Sequence, residues 1–299
     1  MLRGSPIAFG IAGSMMLCLI LLDAKGQETK SKTAIRVEND IVFGKGGDTE
    51  LKLDLAVPQD GDGPFPAIVC IHHGGWIRGE RQQMRGTLEA LARSGFVAIS
   101  PDYRLAPRHR FPAQIEDCKA AVRWLRAHAE RYRVESSRIG AFGVSAGGHL
   151  ACLLGVTTKE DGLEGDGGNA EQSSAVQAVV CFFGPTDLTR PVWNKELREK
   201  QLEPFLGGTA DEKADVYRRA SPITYAGKNS PPFLFVHGSA DTIVPIQQSE
   251  DMVDKLRRAG ASAQLLRVAD EGHGLNRDSP STRKSIANMM VFFEETLKK

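Results

Sequence analysis

The chain reads as an α/β protein: a mostly parallel eight-stranded sheet with helices on both faces and an antiparallel edge. Three observations point there. Two alternating, strand-like segments open the pattern at 35–43 and 50–57. Six short apolar runs follow, with stretches between them whose apolar residues recur at helical spacing. The length, 299 residues, suits one such domain or at most two small ones.

The first 26 residues stand apart. Arg3 precedes an uncharged apolar run from Ile7 to Leu22, which ends at Asp23, Ala24, Lys25 and Gly26. A short positive region, an apolar run and small residues near a cut site form the pattern of an export signal. The run is also long enough to serve as a marginal membrane anchor if it is retained. The expectation is a signal peptide over 1–26, a secreted or periplasmic protein, and a single catalytic domain over 27–299.

The elements of that domain follow in order. In 50–57, Leu51, Leu53, Leu55 and Val57 alternate, as on a strand with one buried face. The later apolar runs lie at 67–72, 96–100, 138–142, 176–183, 233–238 and 263–268. Helices are expected over 112–131, where Ile115, Cys118, Ala121, Val122 and Leu125 share a face, and over 246–259 and 281–297. Repeated strand–helix units favour a parallel sheet covered on both sides. Two segments break the rhythm. Residues 157–175 are rich in Gly, Asp and Glu and read as an exposed loop. Residues 186–230, with Trp193, Leu202, Phe205 and Leu206, read as a small helical insertion or lid over the sheet edge.

Composition narrows the partners. Lys and Arg number 38 against 37 Asp and Glu, a balance that argues against a nucleic-acid polyanion. About 41% of residues are apolar, enough for a large core. Of the five cysteines, Cys18 lies in the N-terminal run, and Cys70, Cys118, Cys152 and Cys181 sit in apolar contexts that suit buried thiols. Their spacing shows neither a disulfide framework nor a metal pair. No cofactor and no metal are expected. His72 and His73 are adjacent and would point apart on extended backbone, and no Cys or carboxylate cluster completes a tetrahedral set.

The chemistry-bearing residues fall at strand ends. The strand ending at Phe142 runs into Gly143-Val144-Ser145-Ala146-Gly147 and then a helical stretch. This G-x-S-x-G spacing, between strand and helix, mounts a serine on a strained turn that only small neighbours permit. Ser145 would stand at a helix N-terminus, where partial positive charge favours an oxyanion. The strand ending at Ile71 runs into His72-His73-Gly74-Gly75-Trp76. Its glycines let backbone amides approach a substrate oxygen, so Gly74 or Gly75 with Ala146 are the expected oxyanion donors. His73 and Trp76 are candidates for the pocket wall, and tight-turn or core roles are the plain alternative.

His273 lies in a Gly-bounded polar loop after the last strand, and Asp241 just past the strand ending at Val236. The order Ser145, Asp241, His273 suits a nucleophile, an orienting acid and a proton carrier. Asp187, also after a strand end, is the rival acid. Among the other histidines, His149 is expected in packing, and His72 and His237 on tight strand ends. His109 and His128 read as solvated.

These motifs, with Asp102-Tyr103-Arg104-Leu105-Ala106-Pro107, Gly148-His149, Val244-Pro245 and His273-Gly274, resemble the α/β-hydrolase superfamily. More narrowly they are similar to hormone-sensitive-lipase-like carboxylesterases and to bacterial carbohydrate esterases that remove acetyl or feruloyl groups. The resemblance covers about residues 35–298. It implies catalytic Ser145, Asp241 and His273, oxyanion donors at Gly74, Gly75 and Ala146, an ester substrate and no cofactor. One departure stands out: His73 occupies the first glycine position of the usual His-Gly-Gly-Gly, which tilts the resemblance toward the exported carbohydrate esterases. Two other functions fit the same residues less well. Peptide or amide cleavage uses the same triad, but the prolyl-peptidase relatives carry a large extra domain for which this length leaves no room. An inactive, binding-only hydrolase fold would be expected to lack a triad member, and all three candidates stand in order.

Overall fold

The computed structural model describes residues 34–276 and 278–299. The expected signal peptide, 1–26, lies outside the described residues. The strands are β1 (Ile35–Gly46), β2 (Thr49–Pro58), β3 (Phe65–Ile71), β4 (Val97–Pro101), β5 (Val134–Val144), β6 (Ala178–Phe182), β7 (Phe233–Gly238) and β8 (Ala263–Val268). They form one sheet in the order β1-β2-β4-β3-β5-β6-β7-β8. β2 runs antiparallel to β1 and β4, and every later pairing is parallel. The parallel sheet with an antiparallel edge is therefore as the sequence predicts.

Apolar side chains of β3 alternate between two cores. Ala67, Val69 and Ile71 enter one, and Ile68 and Cys70 the other. On the first face lie α2 (Ala113–Ala127), α3 (Ala146–Val156) and α4 (Gln247–Arg258), and on the second α1 (Arg85–Arg93) and α5 (Pro280–Leu297). α1 follows from no strong sequence signal, because Arg85 and Arg93 frame a short, Ala-rich turn pattern. The helix expected over 112–131 ends at Ala127, and a separate helical turn spans Ala129–Tyr132.

Two expectations change. β2 is buried on both faces: Asp54 and Ala56, between the alternating leucines, are 2% and 0% exposed. Second, 157–175 is not simply an exposed loop. Leu163 is buried, and Glu164 reaches back to α2, accepting from Lys119 Nζ at 2.7 Å and from Arg123 Nη1 at 2.8 Å. Lys119 also donates to Ser174 Oγ at 3.1 Å. A buried cation needs a counter-charge, and this segment supplies it. The four cysteines among the described residues are buried and unpaired.

The insertion folds as short helical turns over Lys195–Leu206, Ala214–Arg219 and Pro222–Thr224. Its buried Phe205 stacks on Trp76 at 4.5 Å, and its carbonyl accepts from Phe111 N at 2.9 Å. It thus covers segments that follow β3 and β4, above the carboxyl ends of the central strands rather than the sheet edge.

Arg81 ties the antiparallel edge to the loop after β3. Its Nε donates to Asp54 Oδ1 at 2.9 Å, and its two terminal nitrogens to Asp102 and Asp40. Its backbone amide donates to Asp102 Oδ1 at 2.8 Å, and its carbonyl accepts from Ser100 Oγ at 3.1 Å. Asp54 has almost no access to water, so it relies on this guanidinium. We expect Arg81→Met to cost about 3–5 kcal/mol in urea unfolding, since it strands a buried carboxylate. Adding Asp54→Leu should recover most of that loss. An unchanged double-variant midpoint would show that the Asp54 charge is not the cause.

Candidate active site

β5 delivers Ser145 into a sharp turn, with φ 55° and ψ −119°, directly before α3. The neighbours explain why this turn can close. A Cβ on Gly143 would lie 2.0 Å from the Gly147 carbonyl oxygen, and one on Gly147 would lie 2.2 Å from that of Ile71. Ser145 N donates to Phe182 O at 2.9 Å, which fixes the turn to the end of β6. The positive φ at a non-glycine residue is strain that the close packing of α3 on β3 enforces.

Three of the sequence candidates meet here. Ser145 Oγ lies 2.9 Å from His273 Nε2, and His273 Nδ1 lies 2.7 Å from Asp241 Oδ2. A carboxylate can only accept, so Nδ1 carries the proton and Nε2 accepts from the serine hydroxyl. Asp241 Oδ1 accepts from the amides of Ile243 and Val244, both at 2.9 Å. Burial pushes this carboxyl's pKa up. The hydrogen bonds from His237 and His273, the imidazole charge and the Val244 amide outweigh it and hold the group well below the usual carboxylate range. Phe183 sets its ring against the His273 imidazole at 4.8 Å, nearly edge-on.

The rival acid is elsewhere. Asp187 accepts from Thr189 N at 3.0 Å and Thr189 Oγ1 at 2.6 Å, and pairs with Arg190. Four other histidines have structural partners. His149, fully buried, accepts from Trp76 Nε1 at 3.2 Å and donates to Ala220 O at 2.7 Å. His128 bonds Trp124 O at 2.8 Å, and His109 is half-buried. His72 donates to His73 O at 2.8 Å and stacks on Tyr103 at 4.1 Å. His237 is the residue whose part the sequence did not reveal. Its Nε2 faces Val244 O at 2.8 Å and Asp241 Oδ2 at 3.3 Å, and its Nδ1 faces Ser249 Oγ at 2.7 Å. Both oxygens at Nε2 are acceptors, so that nitrogen carries the proton and helps hold Asp241 in place. No signal at position 237 distinguishes such a role from an ordinary strand end.

Ser145 and His273 open onto a cavity of about 200 Å³, lined also by Gly74, Gly75, Ala146, His73 and Trp76. The loop after β3 is shaped by positive φ at Gly74, Gly75 and Trp76. Gly75 holds φ 62°, a conformation that residues with a side chain rarely adopt, so replacing it would strain the loop. Trp193, Leu197, Gln201 and Leu202 of the insertion complete the wall. Asp102–Pro107 supports this loop from behind: Tyr103 Oη donates to His72 O at 3.2 Å, and Ala106 N to Trp76 O at 2.9 Å. Among the described residues no His, Cys, Asp and Glu group is arranged to hold a metal ion.

The BD-FAE family model matches residues 53–256. The chain belongs to the BD-FAE family. It is an α/β hydrolase of the hormone-sensitive-lipase-like kind, and its sheet and helices match those of esterases of that fold. It is 34% identical to Esterase LipC of Mycobacterium tuberculosis over 217 residues, 71% of this chain and 54% of LipC. It spans about half the length of the curated relatives it matches. Among solved structures it is similar to a truncated carbohydrate esterase from gut microbiota, with a TM-score of 0.79 and 28% identity over 90% of this chain and 99% of that one. It is also similar to the esterase Est2 of Thermogutta terrifontis with propionate bound, with a TM-score of 0.73 and 29% identity over 89% and 95% of the two chains.

The buried imidazoles beside the site make stability depend on pH. Burial lowers the pKa of His149 to about 4, against the raising effect of the Ala220 carbonyl. Burial does the same for His72, also to about 4, against its bond to His73 and the charge of Asp102. Both rings are neutral in the fold and take up protons on unfolding below about pH 6.5. The unfolded chain then binds more protons, so stability falls as pH drops from about 6.5 to about 4, where the native rings titrate too. Each ring contributes a loss on the order of 3 kcal/mol. Urea midpoints across that range should fall, and fall less steeply in His149→Gln. An unaltered slope in the variant would remove His149 from the account.

Proposed function

We propose that the protein is a serine carboxylic-ester hydrolase. The observation that carries this is the hydrogen-bonded line from Ser145 through His273 to Asp241, opening onto a cavity that Gly74, Gly75 and Ala146 also line. The esterase names of its relatives support the same reading. In this reaction His273 Nε2 takes the Ser145 proton as Oγ attacks the ester carbonyl carbon. Negative charge gathers on the carbonyl oxygen, where the amides of Ala146 and of Gly74 or Gly75 act as donors. His273 then gives the proton to the leaving alcohol, and an acyl-enzyme remains. Water, deprotonated by the same imidazole, releases the acid. Asp241 holds the imidazole in the tautomer this sequence needs. His73 and Trp76 serve the pocket wall.

Within this class we favour a short-acyl carbohydrate ester, an acetyl group before a feruloyl one. The cavity, about 200 Å³, lies below the range of about 300–1,000 Å³ usual for drug-sized ligands. The likeness to a gut-microbial carbohydrate esterase agrees with that choice. The expected result is hydrolysis of short acetyl esters, slower turnover of feruloyl esters and none of dipeptide anilides. Ser145→Ala should abolish both turnover and labelling by a fluorophosphonate probe. Asp241→Asn should lower kcat by about 10⁴-fold with the fold intact. Full activity of Ser145→Ala on aryl acetates would refute the assignment.

We also propose that the protein is exported, supported by Arg3, the Ile7–Leu22 run and the small residues after it. Expression of the full chain in a bacterial host should yield an extracytoplasmic product whose N-terminus starts near residue 27. A cytoplasmic product with residue 1 intact would count against export.

A further inference from the structure

The cavity beside Ser145 has one residue of fixed charge in its lining, Arg78, and no carboxylate among its lining residues. Arg78 belongs to the same loop as the proposed oxyanion donors. Its amide donates to Gly74 O at 3.2 Å. Its carbonyl and stem lie so close to Gly74 that a Cβ there would meet them at 2.0 and 3.3 Å. The loop therefore fixes where the side chain starts. Nearby arginines are occupied: Arg81 is held by three aspartates, and Arg104 by Glu116 and Asp117. Arg78 makes no ion pair among the described residues.

Its surroundings add polar groups without adding negative charge. His73 Nε2 is buried and has no hydrogen-bond partner. After burial, the positive charges of His273 and Arg78 are what lower the pKa of His73, so this ring is a neutral neighbour of the guanidinium. The Gln201 carboxamide lies over Gly75 in the same wall. The rest of the lining is largely apolar. A cation left without an acid partner in the same cavity lining as Ser145 and His273 has no counter-charge in the wall to occupy it. It suits an anionic group, for which guanidinium offers a planar pair of donors.

We propose that this site selects esters that carry a carboxylate, and that Arg78 pairs with it while Ser145 attacks the ester carbonyl. The inference rests on the esterase reading above and narrows its substrate class. Arg78 is exposed, so solvent screens the pair and the gain is modest, expressed in KM more than in kcat.

The test compares three esters with the purified chain: an acetylated uronic acid, the acetylated neutral sugar of the same configuration, and the hemisuccinate of that neutral sugar. The first acid places the carboxylate on the alcohol half, the last on the acyl half. At low salt, one of the acidic esters should have a kcat/KM about fivefold or more above the neutral acetate. High salt should shrink that preference. Arg78→Gln should bring the ratio to about one, and Arg78→Lys should restore part of it. Ser145-dependent hydrolysis of the neutral ester with no preference for either acid, or a preference that survives Arg78→Gln, would overturn the inference and leave the esterase reading standing. Absence of Ser145-dependent hydrolysis of all three would overturn the esterase reading itself.

Discussion

The site depends on how closely α3 can approach the exit of β3. Gly147 sits so near that a methyl group would lie 2.2 Å from the Ile71 carbonyl oxygen and 2.5 Å from that of His72. Gly143 is pressed as tightly on Gly147 from the other side. Because the helix can come this close, Ser145 is forced into its left-handed turn, and the loop that starts at His72 runs beside it. One contact thus fixes two things that ester chemistry needs together: a raised hydroxyl and neighbouring backbone amides. A side chain at either glycine would separate them by more than hydrogen-bond distances tolerate.

That constraint is local, which is why it was legible. The glycine spacing around Ser145 and the two glycines after His73 carry their reason in the chain itself. The strands were legible on the same terms: 233–238 and 263–268 coincide with β7 and β8, since short apolar runs bounded by turns leave few options. What the sequence hid depends on partners far along the chain. Lys119 and Arg123 meet Glu164, some forty residues on, and nothing in their own helix signals that partner. Asp40, Asp54 and Asp102 converge on Arg81 from three segments, a meeting that no local pattern around Arg81 signals. The pocket wall was half legible: Trp193 and Leu202 were visible as an apolar insertion, but that Phe205 would stack on Trp76 was not.

The choice of acid illustrates the same limit. Asp187 and Asp241 both follow strand ends, and chain order alone favours Asp241. In the structure the two differ in what surrounds them. Asp187 spends its oxygens on Thr189 and Arg190 within its own turn. Asp241 is held by amides on one oxygen and by two imidazoles on the other. Support from both sides keeps its charge and its direction fixed, which an orienting carboxylate requires.

A proton carrier must also be the only one of its kind in reach, and five histidines lie in or around this site. His149 has both ring nitrogens engaged in the core, and His237 has both engaged beneath Asp241. His72 is buried against Tyr103 and bonded to its own neighbour, and desolvation disfavours its charged form. His73 is kept neutral by burial and by the cations beside it. His273 differs in having an acid at one nitrogen and a hydroxyl at the other, with its side chain 16% exposed. The imidazolium that would form there is the only one with a carboxylate aligned to receive its charge without first breaking a structural bond. The packing of the other four rings is therefore part of what singles out His273 as the group able to shuttle a proton.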